Sequence, residues 1–270
     1  MSEKMKNLLV RTASGAVLAV VIFGALLWSN WSFALLLALL TVGGLHEFYA
    51  LARKCGATPQ PVLGTLIGLA VLFVAVFAWY RIVVIGILAL LLFFPATFVL
   101  ALWSRSEHPI ADIAATIMGV FYVAVPFALA AFCNQYAESK WPVIGFILIV
   151  WANDVFAYLT GLAIGRHPLF PRLSPKKSWE GFAGGIAGAV GVGLLVAHFG
   201  AGGYYGLWAG LALIAAVTGV AGDLVESMFK RAAGVKDSGN LIPGHGGVLD
   251  RFDAMLLAIP FVLAYLFYLL

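Results

Sequence analysis

Long apolar runs separated by short polar segments make up almost the whole chain. A helix needs about 20 apolar residues to cross the hydrocarbon core of a bilayer, and these runs are close to that length. They lack the apolar–polar alternation that marks the strands of a transmembrane barrel. Because a backbone in lipid must satisfy its own hydrogen bonds, continuous apolar runs are predicted to be helices. The pattern therefore predicts an all-α polytopic membrane protein with about nine transmembrane helices, at residues 8–28, 32–52, 62–80, 82–103, 110–133, 142–164, 182–199, 204–228 and 248–269.

The composition supports this prediction. Of the 270 residues, 63% are hydrophobic and 10% are charged, and the mean hydropathy is +1.02. A soluble domain has about a quarter of its residues charged. A single membrane domain is therefore predicted over residues 1–270, with an N-terminal helical part at 1–140 and a catalytic part at 141–270 that carries the polar clusters. Cys55 and Cys133 have neither a metal-type spacing nor the pattern of a disulfide framework.

The basic residues predict the orientation. With a cytoplasmic N-terminus and nine predicted spans, 14 of the 16 lysines and arginines fall on the cytoplasmic side, and only Arg81 and Lys140 fall outside. Cytoplasmic loops of membrane proteins carry such an excess of lysine and arginine. The net charge of +4 is then a one-sided basic face, which anionic lipid head groups attract. The cytoplasmic set is Lys4, Lys6, Arg11, Arg53, Lys54, Arg105, Arg166, Arg172, Lys176, Lys177, Lys230, Arg231, Lys236 and Arg251.

Acidic residues inside the apolar runs separate into two kinds. Glu47, near the inner end of the second run, and Asp112, at the start of the fifth, are interpreted as structural. Asp154, in the segment WANDVFAY, falls near the middle of the sixth run. A carboxylate at that depth costs several kcal/mol unless it faces a polar interior, and it marks a functional site by default. We therefore expect Asp154 to line a polar cavity.

Three polar clusters lie on the predicted cytoplasmic side, at Gly165–Gly181, Gly222–Arg231 and Pro243–Asp253. Asp223 lies three and four residues before Glu226 and Ser227, so these side chains share one helix face. Asp250 and Asp253 are three apart where the last helix begins, and a helix N-terminus tolerates carboxylates.

The loop between the last two predicted helices is short, so those helices are expected to be antiparallel neighbours. This arrangement would bring Asp223, Asp250 and Asp253 together, and a cation would relieve their mutual repulsion. Oxygen-only ligands suit magnesium. The cluster therefore predicts bound Mg²⁺ and leaves a second cation open.

Basic residues surround the predicted acid cluster. A metal that bridges phosphate oxygens, with lysine and arginine taking the remaining charge, is typical of polyphosphate sites. Gly244, Gly246 and Gly247 would let backbone amides approach a phosphate. Ordinary loop charges under the positive-inside rule would explain the basic residues, but not the acids at the edges of spans. The basic set is Lys176, Lys177, Lys230, Arg231, Lys236, Arg251 and His245.

The segment SMFKRAAGVKDSGNLIPGHGGVLDRFD, residues 227–253, resembles the signature motif of phosphatidate cytidylyltransferases, also called CDP-diacylglycerol synthases. The upstream segment also resembles the family, in Asp154, Ala157, Tyr158, Gly161, Gly165 and the run SPKKSWEG at 174–181. The resemblance covers roughly the C-terminal half of the chain. The matching signature positions are Ser227, Lys230, Arg231, Lys236, Asp237, Gly239, His245, Gly246, Gly247, Asp250, Arg251 and Asp253.

The resemblance implies that CTP and phosphatidic acid react to give CDP-diacylglycerol and pyrophosphate. It implies catalytic roles for the three aspartates of the cluster, as metal ligands, and for Lys230 and Arg231. The plain nine-helix layout favours a bacterial inner-membrane enzyme with a cytoplasmic active site, membrane lipids as partners and no nucleic acid, and membrane-buried small residues permit a homodimer. The implied substrate-binding residues are Lys176, Lys177, Ser178, Ser227, Lys236, His245, Gly246, Gly247, Arg251 and Asp154.

Three other functional classes remain open from the residues alone. An ion-coupled transporter also carries carboxylates in its spans, but it predicts acids near the midplane and an inverted repeat. A CDP-alcohol phosphotransferase also uses aspartates on neighbouring helices, in an order that this sequence does not have. A non-enzymatic scaffold would not need the acid cluster. Release of pyrophosphate from CTP that depends on magnesium and phosphatidate separates these alternatives.

Overall fold

The computed structural model describes residues 3–78, 80–104, 106–200, 202–241 and 246–269. It gives only the backbone of residues 3–11 and 80. His245, Gly244 and Arg105 therefore lie outside the described residues, as do the side chains of Lys4, Lys6 and Arg11. The roles predicted for these residues stay predictions.

The described residues form an almost wholly helical chain, as the apolar runs predict. The short π-helical segment Val120–Ala124 joins α5 to α6, and the only strands among the described residues are β1 and β2, which pair antiparallel. The elements in chain order are α1 Glu3–Trp28, α2 Asn30–Lys54, α3 Pro61–Val76, α4 Tyr80–Ala101, α5 Pro109–Gly119, α6 Val125–Tyr136, α7 Trp141–Ile164, β1 Pro168–Phe170, β2 Ser174–Ser178, α8 Trp179–Phe199, α9 Tyr205–Ala232 and α10 Leu249–Leu269.

Seven helical segments within the described part of the chain are long and apolar enough to cross a membrane. Thr12–Trp28 and Pro61–Val76 are apolar but shorter. The fold class is therefore confirmed as an all-α polytopic membrane protein, whereas the count of nine spans and the cytoplasmic N-terminus stay predictions. The seven segments are Asn30–Lys54, Arg81–Ala101, Pro109–Tyr136, Trp141–Ile164, Trp179–Phe199, Tyr205–Ala232 and Leu249–Leu269.

The chain folds into two compact units. The first unit consists of Met1–Gln135 and Ala232–Phe252, and the second consists of Tyr136–Arg231 and Asp253–Leu270. The boundary after Gln135 lies near the predicted division at residue 140. The segment Ala232–Phe252, expected in the catalytic part, instead folds with the N-terminal helices. The signature motif therefore contributes residues to both units.

In the first unit, hydrogen bonds to buried polar groups join the helices to the loops. The Tyr49 hydroxyl of α2 donates to the Thr116 carbonyl of α5 over 2.9 Å. Asp112, which is only 3% exposed at the start of α5, accepts hydrogen bonds from the Thr58 amide at 2.5 Å and the Thr58 hydroxyl at 2.6 Å. A buried carboxylate is costly unless such donors satisfy it, so Asp112 ties the loop before α3 to α5.

The π-helical segment lies where a proline interrupts the fifth apolar run. Pro126 lacks an amide hydrogen, and in a regular α-helix its ring would crowd the carbonyl of Tyr122. The wider π turn at Val120–Ala124 accommodates this proline without ending the helix. Beyond the segment, the Phe127 ring packs edge to face on Phe252, with ring centroids 5.6 Å apart.

In the second unit, α7 and α8 approach closely through small residues. A Cβ at Gly185 of α8 would lie 2.6 Å from Asn153 Oδ1 and 3.0 Å from the Ala157 Cβ, both on α7. A Cβ at Gly184 would overlap the Thr160 side chain. Small residues let helix backbones approach in membranes. Gly184 and Gly185 therefore allow α8 to pack closely on α7.

We expect Gly185→Ala to destabilise the protein, because its methyl group would overlap Asn153 of α7. Overpacking of this kind costs about 1–3 kcal/mol. Gly191→Ala on the same helix is the matched control, since nothing lies within 4 Å of its added Cβ. Thermal unfolding of the purified proteins in detergent measures both changes. Equal unfolding midpoints for the two variants would contradict the packing described here.

Candidate active site

A small hairpin positions the lysines of the run SPKKSWEG. Strands β1 and β2 pair antiparallel, with Pro168 opposite Ser178 and Phe170 opposite Ser174. Ser178 then caps α8, because its hydroxyl accepts a hydrogen bond from the Gly181 amide at 3.1 Å. Serine is a favoured N-cap residue. The hairpin and the helix that follows it are therefore fixed to each other at Ser178.

Glu180, in the first turn of α8, holds the residues just before β1, at the same open end of the hairpin as Ser178. Its Oε2 accepts hydrogen bonds from the Arg166 amide at 3.1 Å and the His167 amide at 3.3 Å. Its Oε1 lies 2.5 Å from Nδ1 of His167. The Trp179 amide also donates to the His167 carbonyl over 2.9 Å. These hydrogen bonds therefore fix the start of β1 and the end of β2, next to the lysines of β2.

A cavity of about 610 Å³ lies beside this hairpin, entirely within the second unit. Five residues predicted from the sequence line it: Asp154, Lys176, Lys177, Ser178 and Asp223. The remaining lining is mostly apolar or aromatic, and includes Tyr158, Leu162, Leu169, Phe182 and Val220. The cavity thus combines charged groups of both signs with an apolar wall.

An ion pair joins the hairpin to α9 in this cavity. The Lys177 ammonium lies 2.5 Å from Oδ2 of Asp223. The other oxygen, Oδ1, accepts a hydrogen bond from the Ser227 hydroxyl at 3.3 Å, one helical turn further on. Both side chains of the ion pair remain partly exposed, so the attraction acts in a partly hydrated setting. The Asp223 carboxylate is therefore already paired with a cationic side chain, that of Lys177.

Four carboxylates of the second unit interact electrostatically. Asp253, at the start of α10, interacts with Asp223, Glu226 and Asp154. Asp253 is half-buried, and its Oδ1 accepts a hydrogen bond from the Ala254 amide at 2.8 Å. Carboxylates that repel one another favour binding of a cation. Of the predicted acid cluster, Asp223 and Asp253 thus interact electrostatically, and Asp154 also acts on Asp253.

Lys230 forms an ion pair inside the protein. Its ammonium contacts Oε2 of Glu226, one turn earlier on α9, and the Glu226 side chain is 0% exposed. The Lys230 side chain is 13% exposed. Its predicted catalytic role stays a prediction, while the structure gives it a buried partner.

In the first unit, Asp250 organises the turn before α10. Its Oδ2 accepts hydrogen bonds from the amides of Ser238 and Gly247, each at 2.8 Å. The Ser238 hydroxyl lies at the same distance from this oxygen. Gly246 has φ +83°, and a Cβ there would lie 2.5 Å from Asp250 Oδ2. One carboxylate oxygen of a predicted metal ligand therefore holds the glycine-rich turn in shape.

Glu47 of α2 binds the same turn from the opposite side. Its Oε1 accepts a hydrogen bond from the Val248 amide at 2.9 Å, and its Oε2 accepts one from the Leu249 amide at 3.0 Å. The Ser238 hydroxyl lies 3.1 Å from Oε2. A Cβ at Gly247 would overlap this carboxylate, and one at Gly239 would lie 2.5 Å from Oε1. Two signature glycines therefore leave room for Glu47.

The remaining predicted site residues lie on the surface or outside the described residues. Arg231, Lys236 and Arg251 are exposed, and His245 falls in the segment 242–245 that the structure does not describe. No group of three or more His, Cys, Asp or Glu side chains among the described residues is arranged as a metal site. Asp250 belongs to the first unit and Asp223 and Asp253 to the second. The predicted meeting of all three therefore stays a prediction.

The sequence interpretation missed the contacts of two acids. Glu226 lies four residues before Lys230, a spacing at which opposite charges pair on a helix, and this signal was available. Glu47 was interpreted as structural, with no partner assigned. Its partners are about 190 to 200 residues away along the chain. The only signal in the sequence was the presence of an acid at the inner end of an apolar run.

Comparisons with known proteins identify a family that matches most of this chain. The model of the cytidylyltransferase family matches residues 9–269. A protein of Staphylococcus aureus (strain COL) named phosphatidate cytidylyltransferase is 41% identical over 159 residues, which are 58% of this chain and 60% of that protein. A Haemophilus influenzae protein of the same name is 45% identical over 128 residues, 46% of this chain and 44% of that protein. The chain thus spans about 60% or less of the length of these relatives.

We expect Lys230→Met to destabilise the protein, because it leaves the buried Glu226 carboxylate without its lysine. Breaking a buried pair in this way costs about 3–5 kcal/mol. Arg231→Met is the control, since this neighbouring side chain is exposed. The double variant with Glu226→Gln should recover most of the loss. Unfolding midpoints in detergent measure all three, and a Lys230→Met midpoint equal to that of Arg231→Met would refute the buried pair.

Proposed function

Because the chain belongs to the cytidylyltransferase family, we propose that it transfers the CMP group of CTP to phosphatidic acid. The products are CDP-diacylglycerol and pyrophosphate. The relatives named phosphatidate cytidylyltransferase support this choice of acceptor. The signature positions between Ser227 and Asp253 also support it, because the whole set is present in this chain.

The observation that carries the proposal is the cavity of the second unit. The proposed substrates are a water-soluble triphosphate and a lipid phosphate. A site for both needs cationic groups next to an apolar wall. Lys176 and Lys177 supply the positive charge, and Tyr158, Leu162 and Phe182 supply the apolar wall. Ligand sites are commonly apolar cavities with a few convergent polar groups, and this cavity has that character.

The proposed reaction needs positioning and charge neutralisation more than covalent help. An oxygen of the phosphatidate phosphate attacks the α-phosphorus of CTP. The bond from that phosphorus to the bridging oxygen of the β-phosphate breaks, and pyrophosphate leaves with the electron pair. The attacking phosphate is already an anion at neutral pH, so no strong general base is required. In this proposal Lys176 and Lys177 neutralise phosphate charge, and Ser178 donates a hydrogen bond.

Magnesium is part of the proposal, because the acids of the second unit provide only oxygen ligands. Asp223 and Asp253 would hold the ion, together with Asp250. When bound, Mg²⁺ supplies positive charge to the phosphate oxygens around the reacting phosphorus. The ion pair with Lys177 supports a cation beside Asp223, since the carboxylate already attracts one. A second cation fits the same excess of carboxylates.

The proposal extends to location and partners. The apolar helices make the chain an integral membrane protein, and we propose that it lies in a bacterial inner membrane with the active site on the cytoplasmic side. The basic residues support this side, because the positive-inside rule assigns most of them to the cytoplasm. Self-association as a homodimer and the absence of a nucleic-acid partner complete the proposal.

Pyrophosphate release tests the proposed function directly. We expect the purified protein to release pyrophosphate from CTP only when both Mg²⁺ and phosphatidate are present, with CDP-diacylglycerol formed in equal amount. A coupled pyrophosphate assay and thin-layer chromatography of the lipid measure the two products. Diacylglycerol in place of phosphatidate is the control acceptor, because it lacks the attacking phosphate. Equal release without phosphatidate would refute the proposal.

The aspartates of α10 test the proposed metal ligands. We expect Asp250→Ala and Asp253→Ala each to lower kcat roughly 10²–10³-fold, the size of effect seen when one electrostatic stabiliser is removed. Glu107→Ala is the control, since this acid is exposed and lies outside the signature motif. Near-normal turnover of both aspartate variants would remove these residues from the proposed site.

A further inference from the structure

We propose that Glu47 is a positioning residue for the signature motif: its carboxylate holds the turn Gly246–Leu249 and, through Ser238, orients Asp250. The inference rests on the proposed function, since Asp250 is a metal ligand only in that proposal. Glu47 lies outside the signature motif and outside the cavity of the second unit. It acts through backbone amides and a serine, not through contact with substrate.

The hydrogen bonds of Glu47 all reach the segment that carries the motif. The Val248 and Leu249 amides donate one to each carboxylate oxygen, and the Ser238 hydroxyl approaches Oε2. The Glu47 side chain is 6% exposed. Burying a carboxylate is costly unless it is hydrogen-bonded, so the three donors and the carboxylate depend on each other. The segment has its described shape only while a carboxylate occupies this position.

Ser238 connects Glu47 to Asp250. Its hydroxyl lies 3.1 Å from Glu47 Oε2 and 2.8 Å from Asp250 Oδ2, and its amide donates to the same Asp250 oxygen at 2.8 Å. Two carboxylates of the first unit thus share one serine. A shift of the Ser238 side chain away from Glu47 would change the donors that fix the Asp250 carboxylate.

Apolar packing fixes the distance between α2 and the turn. A Cβ at Gly43 would lie 3.0 Å from the Val248 side chain, and one at Gly44 would lie 3.5 Å from the Leu249 side chain. These two glycines lie one turn before Glu47 on α2. The residues whose amides bind Glu47 therefore also pack their side chains on α2.

The predicted effect of losing Glu47 follows from its donors. In Glu47→Gln, one oxygen becomes an NH₂ group that faces amide donors and the serine hydroxyl, so at least one hydrogen bond is replaced by a donor–donor contact. The turn should open more often, and Asp250 should lose its fixed orientation. Partners that orient a metal ligand are typically worth roughly 10–100-fold in metal affinity or activity.

The experiment uses the full-length protein in detergent and four variants. Glu47→Gln removes the charge, Glu47→Asp keeps the charge but shortens its reach, and Ser238→Ala removes the link to Asp250. Asp112→Asn is the matched control, since Asp112 is a buried acid of the same unit that binds Thr58 instead of the motif. Hydrogen exchange of peptides covering 238–252 reports on the turn without any substrate. The Mg²⁺ concentration that gives half-maximal pyrophosphate release reports on Asp250.

We expect exchange of the 246–249 amides to be roughly tenfold faster in Glu47→Gln than in Asp112→Asn, because each lost hydrogen bond is worth about that factor. We also expect half-maximal Mg²⁺ to rise roughly 10-fold or more. Glu47→Asp and Ser238→Ala should show intermediate changes, and they carry the test if Glu47→Gln does not fold. A mere loss of folded protein would lower turnover without moving the Mg²⁺ dependence.

Two results would overturn the proposal. One is exchange in Glu47→Gln that matches the Asp112→Asn control. The other is faster exchange with an unchanged Mg²⁺ dependence, which would leave Glu47 a purely structural residue. Failure of the proposed function is a separate outcome, because the wild-type protein would then release no phosphatidate-dependent pyrophosphate, while the exchange measurement would still show whether Glu47 holds the turn.

Discussion

The cost of taking a carboxylate out of water governs the polar part of this membrane protein. Only 12 of the 270 residues are acidic, and several of them are buried. Glu47 accepts hydrogen bonds from backbone amides, Asp112 accepts one from a threonine hydroxyl, and Glu226 forms an ion pair with a lysine of its own helix. Glu47 and Asp112 thus each fix a segment of chain that the apolar contacts alone would leave undetermined. The polar segments between the apolar helices owe their shape to these few pairings.

Charge and close packing work together in the second unit. The Ser178 cap and the Glu180 hydrogen bonds fix the hairpin to α8, and glycines bring α7 against the same helix. A Cβ at Gly181 would lie 2.8 Å from the Ala157 carbonyl, which shows how little space separates the two backbones. The cavity forms where this close packing ends. Its two lysines lie on strand β2 and its two carboxylates on helices α7 and α9, so both kinds of charge are held by regular secondary structure.

The sequence predicted the helices, and it predicted several residues that line the cavity of the second unit, for physical reasons. Continuous apolar runs in lipid have only one backbone solution, so their positions translate directly into helices. Asp154, Lys177 and Asp223 line one cavity. Their sequence positions had predicted this, because each was placed at the same membrane surface or facing the polar interior. The partner of Lys230 was not predicted, although its spacing from Glu226 was visible. Whether such a pair faces protein or water depends on the packing of neighbouring helices, which spacing does not reveal.

Long-range contacts and short polar elements could not be predicted from the sequence. The Glu47 partners are about 200 residues distant, and nothing in a single sequence links them. The hairpin before α8 is a polar stretch with prolines and no alternation, so it carries no strand pattern.

The π-helical segment Val120–Ala124 has a consequence for how such chains are read. The widened turn takes in one extra residue, which advances the following helix by about 100° around its axis. The span Pro109–Tyr136 is therefore continuous, but the angular positions of its side chains around the helix axis change at the π-helical segment. Its two halves belong on separate helical wheels, and a single projection would assign half of its side chains to the wrong face.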